Sequence, residues 1–192
     1  MNIKEIVHRE MAEAFACKEA LRNDSFLLEK ILAAGDILLK VAAQNRTIFS
    51  CGNGGSACDA MHFAEELIAR FERERKGVRA RHLLDIGTIS CWANDYSYED
   101  VFARQVKTLC DRGDVLVGFS TSGNSQNVIR AFEEAKRMEV YTIGLLGKSG
   151  GRAAEIVDLP IVVPADSAHR AQELHITIVH VWCELIDVFL SS

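Results

Sequence analysis

The chain has 192 residues, enough for one domain of ordinary size, and its 48% apolar and 26% charged content is that of a folded globular protein. Its 22 Lys and Arg against 27 Asp and Glu leave a net charge of −5, which argues against broad nucleic-acid binding and leaves room for a local site for a small anion. No apolar run is long enough to span a membrane, and Met1–Asn23 is charged throughout, unlike a secretion signal, so a cytoplasmic protein without membrane contact is expected.

Apolar residues recur at helical spacing at Ile3, Ile6, Val7, Met11 and Phe15, and again at Phe26, Leu27, Ile31, Leu32, Ile37, Leu38 and Val41. This predicts two helices within residues 1–45, with Asn23-Asp24-Ser25 offering the N-cap of the second. The first helix is amphipathic, and nothing before it covers its apolar face. It must pack on the body of the domain or on another copy of the chain.

From Thr47 the texture changes to alternating units. Thr47–Cys51 is β-prone and runs into Gly52-Asn53-Gly54-Gly55-Ser56, after which a helical pattern extends from near Ala57 to about Phe71. The charged stretch Glu72–Arg81 reads as a solvated loop, unless one of its cations or Arg70 reaches an anionic ligand. Ala80–Asp85 and Val115–Phe119 read as the second and third strands. The third enters the turn Ser120-Thr121-Ser122-Gly123-Asn124-Ser125 and a helix to about Arg137. Val140–Leu146 is a fourth strand, closed by Gly147-Lys148-Ser149-Gly150-Gly151. Leu159–Val163 is a fifth, and Ala168–Leu190 a long terminal helix. Continuous apolar strands separated by helices predict an α/β three-layer sandwich, a parallel sheet covered on both faces. Pro160 and Pro164 mark the last strand as an edge strand.

Both Gly/Ser turns fall at the carboxyl ends of strands, where ligands of open α/β sheets bind. Each offers backbone amides at a helix N-terminus, and the hydroxyls of Ser120, Thr121, Ser122 and Ser125 add donors suited to a phosphate. The first turn satisfies the loose G-x-G-x-x-G/A dinucleotide pattern, but no acidic residue stands cleanly at the end of the next strand, and neither turn closes as a P-loop. The six cysteines are scattered without a C-x-x-C pair and read as free, mostly buried thiols rather than a nucleophile or a disulfide framework. His62 and Glu66, four apart, share a helix face, and Gln172, His175 and His180 recur on the last helix. Gln172 and His180 are roughly 80° apart around a helix and can face one cleft. His with a carboxylate at this spacing suits a first-row metal such as zinc, while a surface ion pair and a packing histidine remain the plain alternative.

The series Cys51–Ser56, Asp59–Leu67, Asn94-Asp95, Ser120–Ser125, Gln172–His175 and His180, in this order and spacing over nearly the whole chain, resembles the phosphoheptose isomerases of the sugar-isomerase-domain (SIS) superfamily. The two turns are shared by the superfamily; the His62, Glu66, Gln172 and His180 set is much more specific. The resemblance implies a single SIS domain over 1–192, with a flavodoxin-like five-stranded parallel sheet in 46–192 and helices in 1–45 used to form a homotetramer. It implies isomerisation of sedoheptulose 7-phosphate to D-glycero-D-manno-heptose 7-phosphate, the start of heptose synthesis for lipopolysaccharide and related glycans. Ser120, Thr121, Ser122 and Ser125 would then hold the phosphate, and Asn53, Gly54, Gly55, Asn94 and Asp95 would meet the sugar. His62, Glu66, Gln172 and His180 would hold one zinc ion per site, with Glu66 and Gln172 also touching substrate. Moving a carbonyl from C2 to C1 needs an acid and a base about the two carbons, and Glu66 and His180 are the expected pair, with zinc as Lewis acid. Two other classes stand beside the enzyme: a non-catalytic SIS adaptor binding the replication initiator, and a sugar-phosphate sensor. Relatives of the adaptor type lack a carboxylate matching Glu66 and carry Arg in the second turn, whereas this chain has Glu66 and reads Ser-Thr-Ser-Gly.

Overall fold

A computed structural model describes residues 2–191. Two long helices open the chain, α1 (Ile3–Asn23) and α2 (Ser25–Ala43). Asn2 and Glu5 form a reciprocal capping box at the start of α1, and the Asp24 carboxylate accepts from the Leu27 amide at the start of α2. Leu27, Ile31, Ala34 and Leu38 of α2 are buried in the core. Of α1 only Leu21 is buried; Ile3, Val7, Met11 and Phe15 face solvent, so its apolar stripe is not spent on the body of the chain.

The remaining elements are β1 (Ile48–Gly52), α3 (Gly55–Ile68), β2 (Ala80–His82), α4 (Ile86–Asp95), α5 (Val101–Leu109), β3 (Val115–Ser120), α6 (Gln126–Arg137), β4 (Tyr141–Leu146), α7 (Ala153–Ile156), β5 (Leu159–Val162) and α8 (Ala168–Leu190). The strands make one parallel sheet in the order β2-β1-β3-β4-β5. Every residue of β1 and β3 is buried, as central strands covered on both faces require. One face packs on α2, α3 and α8 through Phe63, Leu67, Ile178 and Trp182. The other packs on α5 and α6 through Phe102, Val106, Ile129 and Phe132. The three-layer, five-stranded expectation therefore holds, and β5, carrying Pro160, lies at the edge where a missing amide donor is tolerated.

Several local expectations shift. β2 ends at His82 rather than Asp85, because Asp85 turns out of the sheet to cap α4, accepting from the Thr88 amide. The segment between β2 and β3 holds α4, a 3₁₀ turn at Tyr98–Asp100, and α5, none of them among the expected elements; α4 has no buried residue to impose a period, whereas Val101, Phe102 and Val106 of α5 are buried at helical spacing and carry a signal that the expectation left out. α7 is likewise unannounced. α3 begins at Gly55 rather than near Ala57 and stops at Ile68 rather than Phe71. The charged stretch after it is not solvated throughout: the Arg75 guanidinium is buried against Asp187 of α8. All six cysteines are free, but only Cys51, Cys110 and Cys183 are buried, while Cys58 and Cys91 lie on solvent-facing sides of α3 and α4. Burial pushes the Cys51 thiol up to about 12, which leaves it inert. Among the described residues no helix is long and apolar enough to cross a membrane.

Candidate active site

α3 leaves the carboxyl end of β1, and α8 runs beside it in the same direction. Gln172 meets the opening turn of α3, His180 its middle, and Asp187 the loop that folds back under its end. His62 and Glu66, one turn apart on α3, are joined by a 2.9 Å contact between Nε2 and Oε1. The His180 ring reaches across from α8, its centroid 5.2 Å from that of His62 at 65°. Ligand atoms of His62, Glu66 and His180 all lie within 4.8 Å of one another. Two imidazoles and a carboxylate are donors that zinc accepts, and a three-residue protein set leaves a position for substrate. The residues present fit such an ion.

Around this cluster stand residues to which the sequence analysis gave no role. Asp59, one turn before His62, has a buried Oδ2 without a hydrogen-bond partner, and burial pushes its carboxyl up to about 6 against the opposing pull of His62. Phe71, from the loop after α3, lays its ring 5.7 Å from His180, centroid to centroid. The expected fourth ligand, Gln172, has its amide packed on Gly55: a Cβ there would lie 2.5 Å from Nε2, so only glycine allows this approach. Gln172 thus sits over the first Gly-rich turn, toward the start of α3 from the His62–Glu66–His180 cluster.

In that turn Gly54 takes φ 56° and α3 begins without a side-chain cap; the Ser56 and Ala57 amides donate within the turn, to the Asn53 and Gly54 carbonyls. Asn53 is held by a reciprocal pair of amide hydrogen bonds with Asn127 of α6, at 2.8 and 2.9 Å, and its Oδ1 also accepts from the Tyr98 hydroxyl at 2.9 Å. Asn127 is nearly fully buried, a polar residue on the packed face of α6, and that pattern is its only signal in the sequence. Tyr98 carries no such signal, because its partner is 45 residues away. Asn94 and Asp95, at the exposed end of α4, bond each other, and Asp95 also accepts from Cys91.

The second turn lies beside the first, since β1 and β3 are neighbours. The Ser120 and Ser125 hydroxyls are 3.3 Å apart, the Gly123 amide donates to Ser120 Oγ, and the Asn124 amide to Ser122 Oγ. The loop after β4 buttresses it: Ala153 donates to the Gly123 carbonyl and Arg152 to Asn124 Oδ1. Gly123 has φ 65°, and a Cβ there would fall 1.8 Å from the Gly150 carbonyl oxygen. Apart from Asn94 and Asp95, whose side-chain bonds to each other and to Cys91 stay within α4, the expected site residues thus gather at the carboxyl ends of β1 and β3 and along the paired faces of α3 and α8.

Comparison with known proteins places the chain in a family. The family model of the SIS domain matches residues 16–147. A phosphoheptose isomerase of Helicobacter pylori is 46% identical over 177 residues, covering 91% of this chain and 92% of that protein. One of Nitratiruptor is 50% identical over 158 residues, covering 82% and 84%. The solved phosphoheptose isomerase of Neisseria gonorrhoeae superposes with a TM-score of 0.91 at 36% identity, over 97% of this chain and all of the other. With this fold, and with these identities running through nearly its whole length, the chain belongs to the SIS-domain family and, within it, to the phosphoheptose isomerases.

Proposed function

We propose that the chain isomerises sedoheptulose 7-phosphate to D-glycero-D-manno-heptose 7-phosphate in heptose synthesis, with Glu66 and His180 as the acid–base pair. The observation that carries the assignment is the meeting of a carboxylate and an imidazole from separate helices in one cluster, beside two anion-suited turns. The substrate carries its carbonyl at C2 and a hydroxymethyl group at C1. One member of the pair takes a proton from C1, giving an enediol, and a proton delivered to C2 yields the aldehyde. The other member moves the proton between the C1 and C2 oxygens. Ser120, Thr121, Ser122 and Ser125 hold the phosphate and so fix the far end of the chain. Asn53, Gly54, Gly55, Asn94, Asp95 and Gln172 orient the hydroxyls between.

His62, Glu66, Gln172 and His180 are the residues to hold one zinc ion per site. When bound, zinc supplies Lewis-acid polarisation of the carbonyl. Neither a sensor nor an adaptor has use for a base, and the presence of Glu66 beside His180 favours turnover over both. The solvent-facing stripe Ile3, Val7, Met11 and Phe15, extended by Phe26 and Leu32 of α2, supports assembly through residues 1–45, in our reading as a homotetramer. A cytoplasmic enzyme feeding lipopolysaccharide or related glycans completes this reading.

The test is aldose formation from sedoheptulose 7-phosphate by the intact protein, with and without a chelator. Chelation abolishes turnover and added zinc restores it. Glu66→Gln lowers kcat by roughly 10²–10⁴, the usual worth of a general acid or base. Full activity in Glu66→Gln overturns the assignment of the pair.

A further inference from the structure

Glu66 lies in the last turn of α3, where the final carbonyls of a helix have no partner within it. Arg75, nine residues on, returns to fill that role: its guanidinium donates to the Glu66 carbonyl at 3.0 Å and to the Leu67 carbonyl at 3.0 Å. A cation at this end also suits the helix dipole. The same guanidinium donates through Nε to Asp187 of α8. The other Asp187 oxygen accepts from the backbone amides of Glu72 and Arg73, at 2.7 and 2.8 Å. Phe71, the residue before Glu72, is the one whose ring lies against His180. Asp187 itself is two turns beyond His180 on the same side of α8.

Both side chains of the pair have no exposed surface. Burying two charges costs desolvation that a packed apolar pair avoids, so such a pair is a poor source of stability. What it does supply is fixed geometry, since six hydrogen bonds converge on two rigid groups, the sixth from the guanidinium to the Lys76 carbonyl at 3.3 Å. We infer that the Arg75–Asp187 pair is a positioning device for catalysis: it ties the turn bearing Glu66 to the helix bearing His180, and it holds Phe71 against the His180 ring. Neither residue touches substrate. The inference rests on the acid–base pair proposed above, and the consequence is that the charged loop after α3 serves the reacting centre from behind.

The experiment uses the zinc-loaded full-length protein with four variants, Asp187→Asn, Arg75→Lys, Phe71→Leu and Glu66→Gln. Asp187→Asn keeps the shape and loses the charge; kcat falls about 100-fold, the scale of a misplacement near 1 Å, while KM stays within about twofold. Zinc affinity, read by competition with a chromogenic chelator, falls about 10-fold or more. Arg75→Lys, which retains a cation but not the fork, shows a smaller loss of kcat than Asp187→Asn. Phe71→Leu keeps an apolar side chain on a partly exposed loop and leaves the pair intact, so it reports even where the buried variants fail to fold; its kcat falls about 10-fold at unchanged KM. A folded Asp187→Asn with normal kcat and zinc affinity, a loss that appears in KM instead, or a Phe71→Leu with normal kcat overturns the inference. Activity retained in Glu66→Gln overturns the acid–base reading beneath it instead, so the two failures are separable.

Discussion

Gly123→Ala tests the phosphate turn without touching the acid–base cluster. Gly123 has φ 65°, where an alanine pays roughly 1–2 kcal/mol. Its Cβ would also stand 1.8 Å from the Gly150 carbonyl oxygen. Contact between carbon and oxygen needs about 3.3 Å, so the turn and the loop behind it must part by roughly 1.5 Å. That movement breaks the Ala153-to-Gly123 and Arg152-to-Asn124 bonds that fix the turn, and it carries the Ser122 hydroxyl and nearby amides out of reach of the phosphate. Two lost hydrogen bonds to a charged group, at roughly 1.5 kcal/mol each, amount to about 3 kcal/mol, or about 100-fold in affinity. The expected result is a KM for the sugar phosphate raised about 100-fold, with kcat changed only a few-fold. Zinc content stays unchanged, because the cluster on α3 and α8 lies outside the turn. Initial-rate kinetics and a calorimetric titration with inorganic phosphate read it out. A folded variant with wild-type KM and phosphate affinity would refute the assignment of the turn.

Tyr98→Phe removes the hydroxyl donor to Asn53 and nothing else in that trio; KM rises several-fold, matching about 1 kcal/mol, and a variant with unchanged KM shows that Asn127 alone orients Asn53. Burial holds the His175 imidazole down at about 4, with the Leu146 backbone opposing, against 6.5 in an unfolded chain. The unfolded form therefore takes up its proton first as pH falls. The stability this neutral ring permits is complete above pH 6.5 and declines by about 3 kcal/mol as pH falls toward 4. Urea unfolding of the protein and of His175→Leu across that window checks it, the variant losing this part of the pH dependence. Phe15→Glu places a charge in the exposed stripe of α1, at a residue that is 68% exposed within this chain; sedimentation then shows a smaller assembly with unchanged helix content, and unaltered sedimentation denies the stripe a role.

Much of this protein is written in short-range pattern. Strands such as Val115–Ser120 announce themselves because a strand buried on both faces has no choice but to be continuously apolar. Asp24 marks a helix start because a capping carboxylate acts three residues away. Glycine turns mark the carboxyl ends of strands for a similarly local reason, and the pairing of His62 with Glu66 follows from the helical repeat alone. α4 escapes such reading because it lies on the surface, with no buried residue to impose a period.

What had to await the fold are the meetings between distant segments. His180 joins His62 and Glu66 because α8 packs parallel to α3, and Asn53 finds Tyr98 and Asn127 because β1 and β3 are neighbours in the sheet. Arg75 reads as one more solvated cation in a charged run until Asp187, 112 residues later, is placed against it. Periodicity records which face of an element is turned inward. Which element meets that face is set by the packing of the whole chain, and no window of neighbouring residues contains that choice.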